Sequence, residues 1–94
     1  LLHLAEAYGR FLPASGSERA DTLAWLMVAL TGLGPATGQA HHWTELAPEK
    51  PAAARAHARA QIDRVYRLLD GRLAAQPYLA GAAYSIADIA AFPW

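Results

Sequence analysis

Two adjacent histidines, His41 and His42, are the side chains of this sequence that most suggest metal chemistry. Histidine ligates zinc, but adjacent residues of a helix point about 100° apart, whereas helical zinc sites place their histidines four residues apart. The chain has no cysteine, so it offers neither a thiolate ligand nor a thiol nucleophile. We therefore expect no metal site. Two interpretations stay open: the pair is structural or solvated, or one of its members lines a ligand pocket.

Ser85 and Asp88 could be members of a Ser-His-Asp hydrolase triad, but their spacing favours a structural role. Three residues apart, they match the capping box of a helix N-terminus, with Asp in place of the usual Glu, and no histidine is near them in sequence. Tyr84 and Ile89 occupy the two positions of a hydrophobic staple. Because the residues after Ser85 are otherwise apolar, we predict a buried, central helix that begins there.

The Gly32/Gly34 pair resembles a phosphate loop only superficially. It lacks the full G-x-G-x-x-G spacing and a preceding strand, so phosphate binding is rejected. Gln39 could bind a ligand or tie down a kink in the helix, and we favour the second because buried amides are usually structural. Four large side chains could line an apolar pocket but are more typical of a core; they are Trp25, Met27, Trp43 and Tyr66.

These residues lie on predicted helices, since Ala, Leu, Arg and Glu favour helix almost throughout the chain. The first helix runs from Leu1 to about Tyr8 and stops at Gly9. The second begins near Ser15 or Ser17, where Ser15 and Glu18 have capping-box spacing. Its apolar positions at i, i+3, i+4 and i+7 predict a buried stripe, and Trp25 predicts a second buried face; the stripe is Leu23, Leu26, Met27 and Leu30.

Pro35 predicts a bend, after which the second helix resumes over residues 36–43. Residues 47–51 form a loop, and a third helix runs from about Ala52 to Ala75. Its predicted apolar stripe is Ile62, Val65, Tyr66, Leu69 and Leu73, and its opposite face carries the i, i+4 series Arg59, Asp63 and Arg67. The fourth helix is the one after Ser85. The predicted fold class is all-α.

The composition excludes several functions. The 94 residues carry eight basic and eight acidic side chains, so no net field attracts nucleic acid or an anionic membrane surface. Hydrophobic residues make up 54% of the chain and charged residues 17%, which is enough apolar material for a core. The longest apolar run, residues 23–30, is far shorter than the ~18 residues that span a bilayer.

The last third of the chain resembles the C-terminal domain of glutathione transferases. The run from Tyr84 to Ala90 followed by Phe92-Pro93-Trp94 is similar to that family's core helix, and Tyr78-Leu79-Ala80-Gly81 to its preceding turn. Two internal segments are similar to the bacterial Nu-class transferases, which include glutathione-dependent disulfide-bond oxidoreductases; they are Trp25-Leu26 and the stretch from Gly32 to Trp43.

The resemblance implies a domain division. Leu1 to Glu6 and Phe11-Leu12-Pro13 look like the end of a thioredoxin-like domain and the start of an interdomain linker. Residues 1–12 would then close that N-terminal domain, 13–17 form the linker, and 18–94 form an incomplete helical domain. The chain has no initiator Met, and we expect a fragment of a bacterial, cytoplasmic homodimer. The Thr or Asn donors that activate the glutathione sulfur would lie outside it, so the fragment alone is expected to be inactive.

The resemblance also implies site residues. Glutathione would be a substrate, with a small hydrophobic electrophile or a disulfide as the second, and no metal. The expected wall of the second-substrate pocket consists of Trp25, Met27, Leu33, Gly34, His41 and His42. Where relatives carry an Arg that contacts glutathione across the subunits, this chain has His57, and Arg55 or Arg59 could substitute. The alternative function is a non-catalytic, transferase-like interaction module; a carrier protein that keeps the pocket without chemistry is a third.

Overall fold

The structure, a computed structural model, covers residues 1–94 and contains helices and no strands. The all-α prediction is confirmed. Five α-helices are joined by two π-helical segments and short loops. In chain order these are α1 (Leu2–Tyr8), α2 (Gly16–Met27), a first π segment (Val28–Leu33), α3 (Gly34–His41), a second π segment (His42–Leu46), α4 (Ala52–Ala75) and α5 (Ile86–Ala91). None of these helices is long and apolar enough to cross a membrane.

The predicted stop of the first helix at Gly9 is confirmed. Gly9 adopts a left-handed conformation with φ of 62°, and its cap N–H bonds to the Ala5 carbonyl. Ser15 caps α2 in an extended conformation, but its side chain makes no capping hydrogen bond, so the predicted box with Glu18 is wrong. The next residue, Gly16, has φ of 79° instead of the negative φ of a first helical residue, so the backbone after Ser15 is not that of an ordinary N-cap.

Residues 16–46 form one continuous helical path, as predicted, but the axis is adjusted by π-helical turns as well as by proline. The N–H of Gly34 bonds to the carbonyl of Ala29, five residues back. Pro35 lies in the first turn of α3, where its missing N–H is tolerated best. The sequence pattern gave no sign of the wider turns.

The buried face of this path differs from the predicted stripe. Leu26 is 3% exposed and Leu23 half-buried, whereas Met27 and Leu30 are 46% and 52% exposed, so the prediction is wrong for those two. Over residues 16–33 the buried positions besides Leu26 are Thr22, Ala29 and Leu33. Together with Leu26 they keep the regular spacing of one helix face, i, i+4, i+7 and i+11, and two of them are small residues that the apolar pattern did not mark. Trp25 and Val28 pack on a second core, which confirms the second buried face.

The core consists of two clusters with α5 between them. The first joins α1, the following loop, α2 and α5, and contains Ala5, Leu12, Leu26, Ala29, Ile86 and Ala90. The second joins α3, α4 and the 76–85 loop to α5, and contains Leu33, Ala36, Val65, Leu69, Leu79 and Ala87. Ala91 packs against both clusters. The prediction of a buried, central last helix is confirmed.

The longest helix, α4, has the predicted bounds and part of the predicted stripe. Val65 and Leu69 are buried and Ile62 packs on the second cluster, but Tyr66 and Leu73 are about half exposed. Arg59 Nε lies 3.1 Å from Asp63 Oδ1, which is the first of the two predicted ion pairs. The second, between Asp63 and Arg67, does not form.

The start of α5 is held by the predicted capping box. The Ser85 hydroxyl accepts a hydrogen bond from Ala87 N–H at 3.3 Å, and Asp88 Oδ2 accepts from Ser85 N–H at 2.9 Å. Asp88 also accepts from Leu79 N–H at 2.9 Å, which ties the preceding turn to the helix. From the other side, Arg72 donates to the carbonyls of Leu79 and Ala80. The staple contact between Tyr84 and Ile89 stays a prediction.

Shortening Leu26 to alanine is expected to destabilise the fold by about 2–4 kcal/mol, because it opens a cavity in the first core cluster. The matched change Leu30→Ala, on an exposed leucine four residues on, is expected to cost less than about 1 kcal/mol. Urea unfolding of the two variants measures both losses of free energy. Equal losses would show that the face assignment is wrong.

Asp88→Ala is expected to cost about 2–3 kcal/mol, since it removes an acceptor from the Ser85 and Leu79 amides and from the Ser85 hydroxyl. Asp63→Ala serves as the control, because it removes an acidic residue from an exposed ion pair worth about 0.5 kcal/mol or less. The two unfolding free energies are compared by urea titration. A loss for Asp88→Ala no larger than that for Asp63→Ala contradicts the role given to the carboxylate.

Candidate functional site

A cleft of about 280 Å³ lies between the α3 region and α4, and polar side chains of both helices meet in it. We call it the α3–α4 cleft. One side is formed by Thr31, Gly32, Pro35, Ala36, Gln39 and Trp43, and the other by His57, Ala58, Gln61, Arg64 and Val65. This volume is slightly below that of pockets which enclose drug-sized ligands, and it is large enough for part of a polar molecule.

Helical periodicity places these groups. On α4, His57, Gln61 and Arg64 are spaced at i, i+4 and i+7, so they share one face of the helix. On the facing helix, Gln39 and Trp43 are one turn apart, and Trp43 Nε1 donates to Gln39 Oε1 at 3.2 Å. Gln39 is exposed, so the premise that it is a buried amide is wrong, and the bond is a surface contact within one helical path.

The polar groups of the α3–α4 cleft are of the kind that can bind an anion or a carboxylate. Arg64 provides a guanidinium that takes part in no ion pair, and His57 and Gln61 add ring and amide donors. Trp43 provides an aromatic wall. Thr31 is the one hydroxyl residue of the lining, and its Oγ1 donates to the Met27 carbonyl at 2.7 Å rather than to His57, so the cleft holds no nucleophile paired with a base. Its residues can bind and orient a ligand rather than react with it.

The three residues expected to contact glutathione across subunits are not brought together. His57 lines the α3–α4 cleft, whereas Arg55 and Arg59 line a neighbouring depression with Thr44 and Tyr66. Arg59 is already paired with Asp63 at 3.1 Å, which neutralises part of its charge. His57 is therefore in a separate site from the two arginines.

The six residues expected to line the second-substrate pocket are spread along one helical path. Leu33 and Gly34 are adjacent and buried, and Trp94 lies so close to Gly34 that a Cβ there would be 3.3 Å from the indole. Trp25 is half-buried under the Arg72 guanidinium, 5.4 Å from the ring centroid. Met27 is exposed on another face. At 1.5 Å per residue, His41 lies roughly 24 Å beyond Trp25 along the helix.

His41 and His42 are both exposed, and the His42 ring makes an edge contact with Trp43 at 4.7 Å. No group of three or more His, Asp or Glu residues is placed to hold a metal ion. Ser85 and Asp88 are fully engaged in the cap of α5, so they form no hydrolytic triad.

Three polar residues of the α3–α4 cleft were not predicted as site residues: Thr31, Gln61 and Arg64. The signal was the helical spacing from His57 to Gln61 to Arg64, which places three polar groups on one face together with the buried Val65. The contribution of Thr31 depends on the π segment and had no signal.

Excess zinc is expected to leave the melting temperature of this protein unchanged, because the adjacent histidines diverge and lack further ligands. Thermal melts of the wild type and of His42→Ala, each with and without zinc, measure this. A zinc-dependent rise of several degrees that His42→Ala abolishes would show that a site had been overlooked.

Comparison with known proteins finds similar sequences over the whole chain. Residues 52–94 match the family model described as glutathione S-transferase, C-terminal domain. Over its whole length the chain is 46% identical to the Escherichia coli disulfide-bond oxidoreductase YfcG and covers 44% of that protein. It is 38% identical to a second disulfide-bond oxidoreductase of the same organism, YghU, of which it covers 33%.

Solved structures give the same match in three dimensions. The glutathione transferase YghU of Streptococcus pneumoniae, complexed with glutathione, superposes on the whole chain with a TM-score of 0.93 and 41% identity, and the chain covers 36% of it. A Burkholderia graminis glutathione transferase with two glutathione molecules bound per subunit superposes with a TM-score of 0.94 and 32% identity, and the chain covers 40% of it. The chain thus spans less than half the length of these relatives.

Proposed function

We propose that the protein containing this chain is a glutathione-dependent enzyme, because residues 52–94 match the model of the glutathione S-transferase C-terminal domain. Its activity would be disulfide reduction or glutathione transfer to a small hydrophobic electrophile. The single observation that carries this proposal is that the chain matches glutathione-bound transferases over its full length, in both fold and sequence.

Disulfide reduction is favoured between the two activities. Both Escherichia coli relatives that match the full chain carry the name disulfide-bond oxidoreductase. In such a reaction two glutathione thiols supply two electrons and two protons. The substrate disulfide becomes two thiols, and the two glutathione sulfurs join as glutathione disulfide. The chain has no cysteine, so its residues 1–94 would act by binding and orienting rather than by thiol exchange.

A division of labour within the whole protein follows. Residues 1–12 would close a thioredoxin-like domain that holds glutathione, 13–17 would link the domains, and 18–94 would belong to the helical domain. Leu33 and Gly34, together beside Trp94, are the best placed of the predicted second-substrate residues. Trp25, Met27, His41 and His42 would serve other parts of that wall.

The α3–α4 cleft would supply the contact to glutathione across a homodimer. Glutathione carries two carboxylates at neutral pH, which suits the guanidinium and ring donors of Arg64 and His57. Arg59 is less suited to bind a glutathione carboxylate, because its guanidinium is already paired with Asp63. Arg55 lies beside Arg59 in the other depression. We propose a bacterial, cytoplasmic homodimer as the setting; the Escherichia coli and Streptococcus pneumoniae relatives are bacterial proteins.

The enzyme proposal is preferred to a non-catalytic interaction module. The full-length matches include proteins named for catalysis, and the zero net charge gives no surface field for a nucleic-acid partner.

The test is glutathione-dependent turnover by the purified whole protein. Reduction of bis(2-hydroxyethyl) disulfide is followed by coupling glutathione disulfide formation to NADPH oxidation through glutathione reductase. Conjugation of glutathione to 1-chloro-2,4-dinitrobenzene is followed in parallel. We expect the whole protein to reduce the disulfide and residues 1–94 alone to do neither, because the sulfur-activating donors lie outside them.

Two results would contradict this proposal. Turnover by residues 1–94 alone would show that the catalytic groups lie within these residues and not in the preceding domain. A folded whole protein that binds no glutathione and turns over neither substrate would favour the interaction module.

A further inference from the structure

We infer that Phe11 is a positioning residue: its contacts with Tyr84 and Ile86 hold residues 10–13 against the start of α5 and so fix α1 relative to the helical domain. We call these contacts the clasp. The inference rests on the proposed function, in which α1 ends the domain that holds glutathione. The clasp would then set the shape of the cleft between the two domains, where the second substrate binds.

The backbone of Phe11 is the first sign of the clasp. Its φ of 63° is the single positive φ among the non-glycine residues of the chain. A bulky L-residue in this region is strained, and such a conformation persists only when its surroundings impose it. Gly9, two residues earlier, has nearly the same φ of 62° without that cost. A glycine or asparagine at position 11 would adopt this φ with less strain. The presence of phenylalanine therefore indicates that the contacts of its ring offset the strain.

The carbonyl and the ring of Phe11 both contact the start of α5. The Phe11 carbonyl accepts a hydrogen bond from Ile86 N–H at 2.9 Å, which satisfies one of the open amides of the first helical turn. The ring meets the Tyr84 ring edge-on, with centroids 5.9 Å apart and planes at 90°. On its other side, the Arg10 guanidinium lies 5.0 Å from the Phe11 centroid.

The contacts around Phe11 join α1 to the rest of the fold. The next residue, Leu12, is buried in the first core cluster with Ala5 of α1 and Ile86 of α5. On α2, Arg19 bonds both to Glu6 of α1 at 2.6 Å and to the Pro13 carbonyl at 3.2 Å. The segment is therefore held at both of its ends, and Phe11 is the point at which it contacts the α5 backbone.

Loss of the clasp should change the shape of the second-substrate cleft and so weaken binding of the second substrate. The affinity of the other domain for glutathione should stay unchanged. In the whole protein, Phe11→Ala and Tyr84→Ala are each expected to raise the KM for the second substrate about threefold or more, because small misplacements are costly in such clefts. The KM for glutathione is expected to stay within experimental error. Phe11→Tyr keeps the ring and should behave as the wild type.

Leu69→Ala is the control for a general loss of stability. It shortens a buried side chain of the second core cluster, away from the clasp. We expect its melting temperature to fall at least as far as that of Phe11→Ala, with neither KM changed. Equal KM shifts in Leu69→Ala and Phe11→Ala, or unchanged KM values in both, overturn the positioning role.

Limited trypsin digestion provides a readout that does not depend on catalysis. Arg10 is exposed beside the clasp, and cleavage after it reports how often the segment opens. Cleavage there should be several-fold faster in Tyr84→Ala, whose segment sequence is unaltered, than in the wild type or Leu69→Ala. If the wild type shows no glutathione turnover, the proposed function fails, and this comparison still decides the clasp: equal cleavage rates overturn it.

Discussion

The hydrogen bonds accepted by the Asp88 carboxylate are the interaction on which the packing of this fold depends. The carboxylate accepts hydrogen bonds from the amide of Ser85 and, at the far end of the preceding turn, from the amide of Leu79. One side chain thus starts α5 and fixes the turn that brings the chain back from α4. Because α5 contributes buried side chains to both core clusters, a displaced α5 would weaken the packing of both. Arg72 reinforces the same turn through the carbonyls of Leu79 and Ala80.

Features set by local chemistry could be predicted from the sequence. The bounds of α4, the stop at Gly9 and the capping box of α5 each depend on residues within a few positions of one another. The π segments could not be predicted, because no residue pattern marks them. The buried stripe was misplaced because it runs through the small residues Thr22 and Ala29, whereas the larger Leu30 is exposed. The left-handed Phe11 is imposed by α5, which is 75 residues later in the chain.

The candidate site was predictable only in part, for the same reason. The resemblance to a family indicated His57 and its neighbours, and helical spacing would have added Gln61 and Arg64 to them. Which of the cationic residues share a cleft depends on how α3 packs against α4, and Arg59 is set apart by its pairing with Asp63. The predicted second-substrate residues are spread along a helix of more than 20 residues, so a single compact pocket cannot contain all six.

We propose that this helical part contacts glutathione held by another domain, with α4 supplying the contact across a dimer. The decisive measurement is a crystal structure of the whole protein with glutathione bound. The expected result is glutathione on the preceding domain, with a carboxylate of that molecule within hydrogen-bond distance of His57 or Arg64 of the other subunit. Glutathione bound with the α3–α4 cleft of both subunits facing solvent, or no glutathione bound at all, would contradict the account.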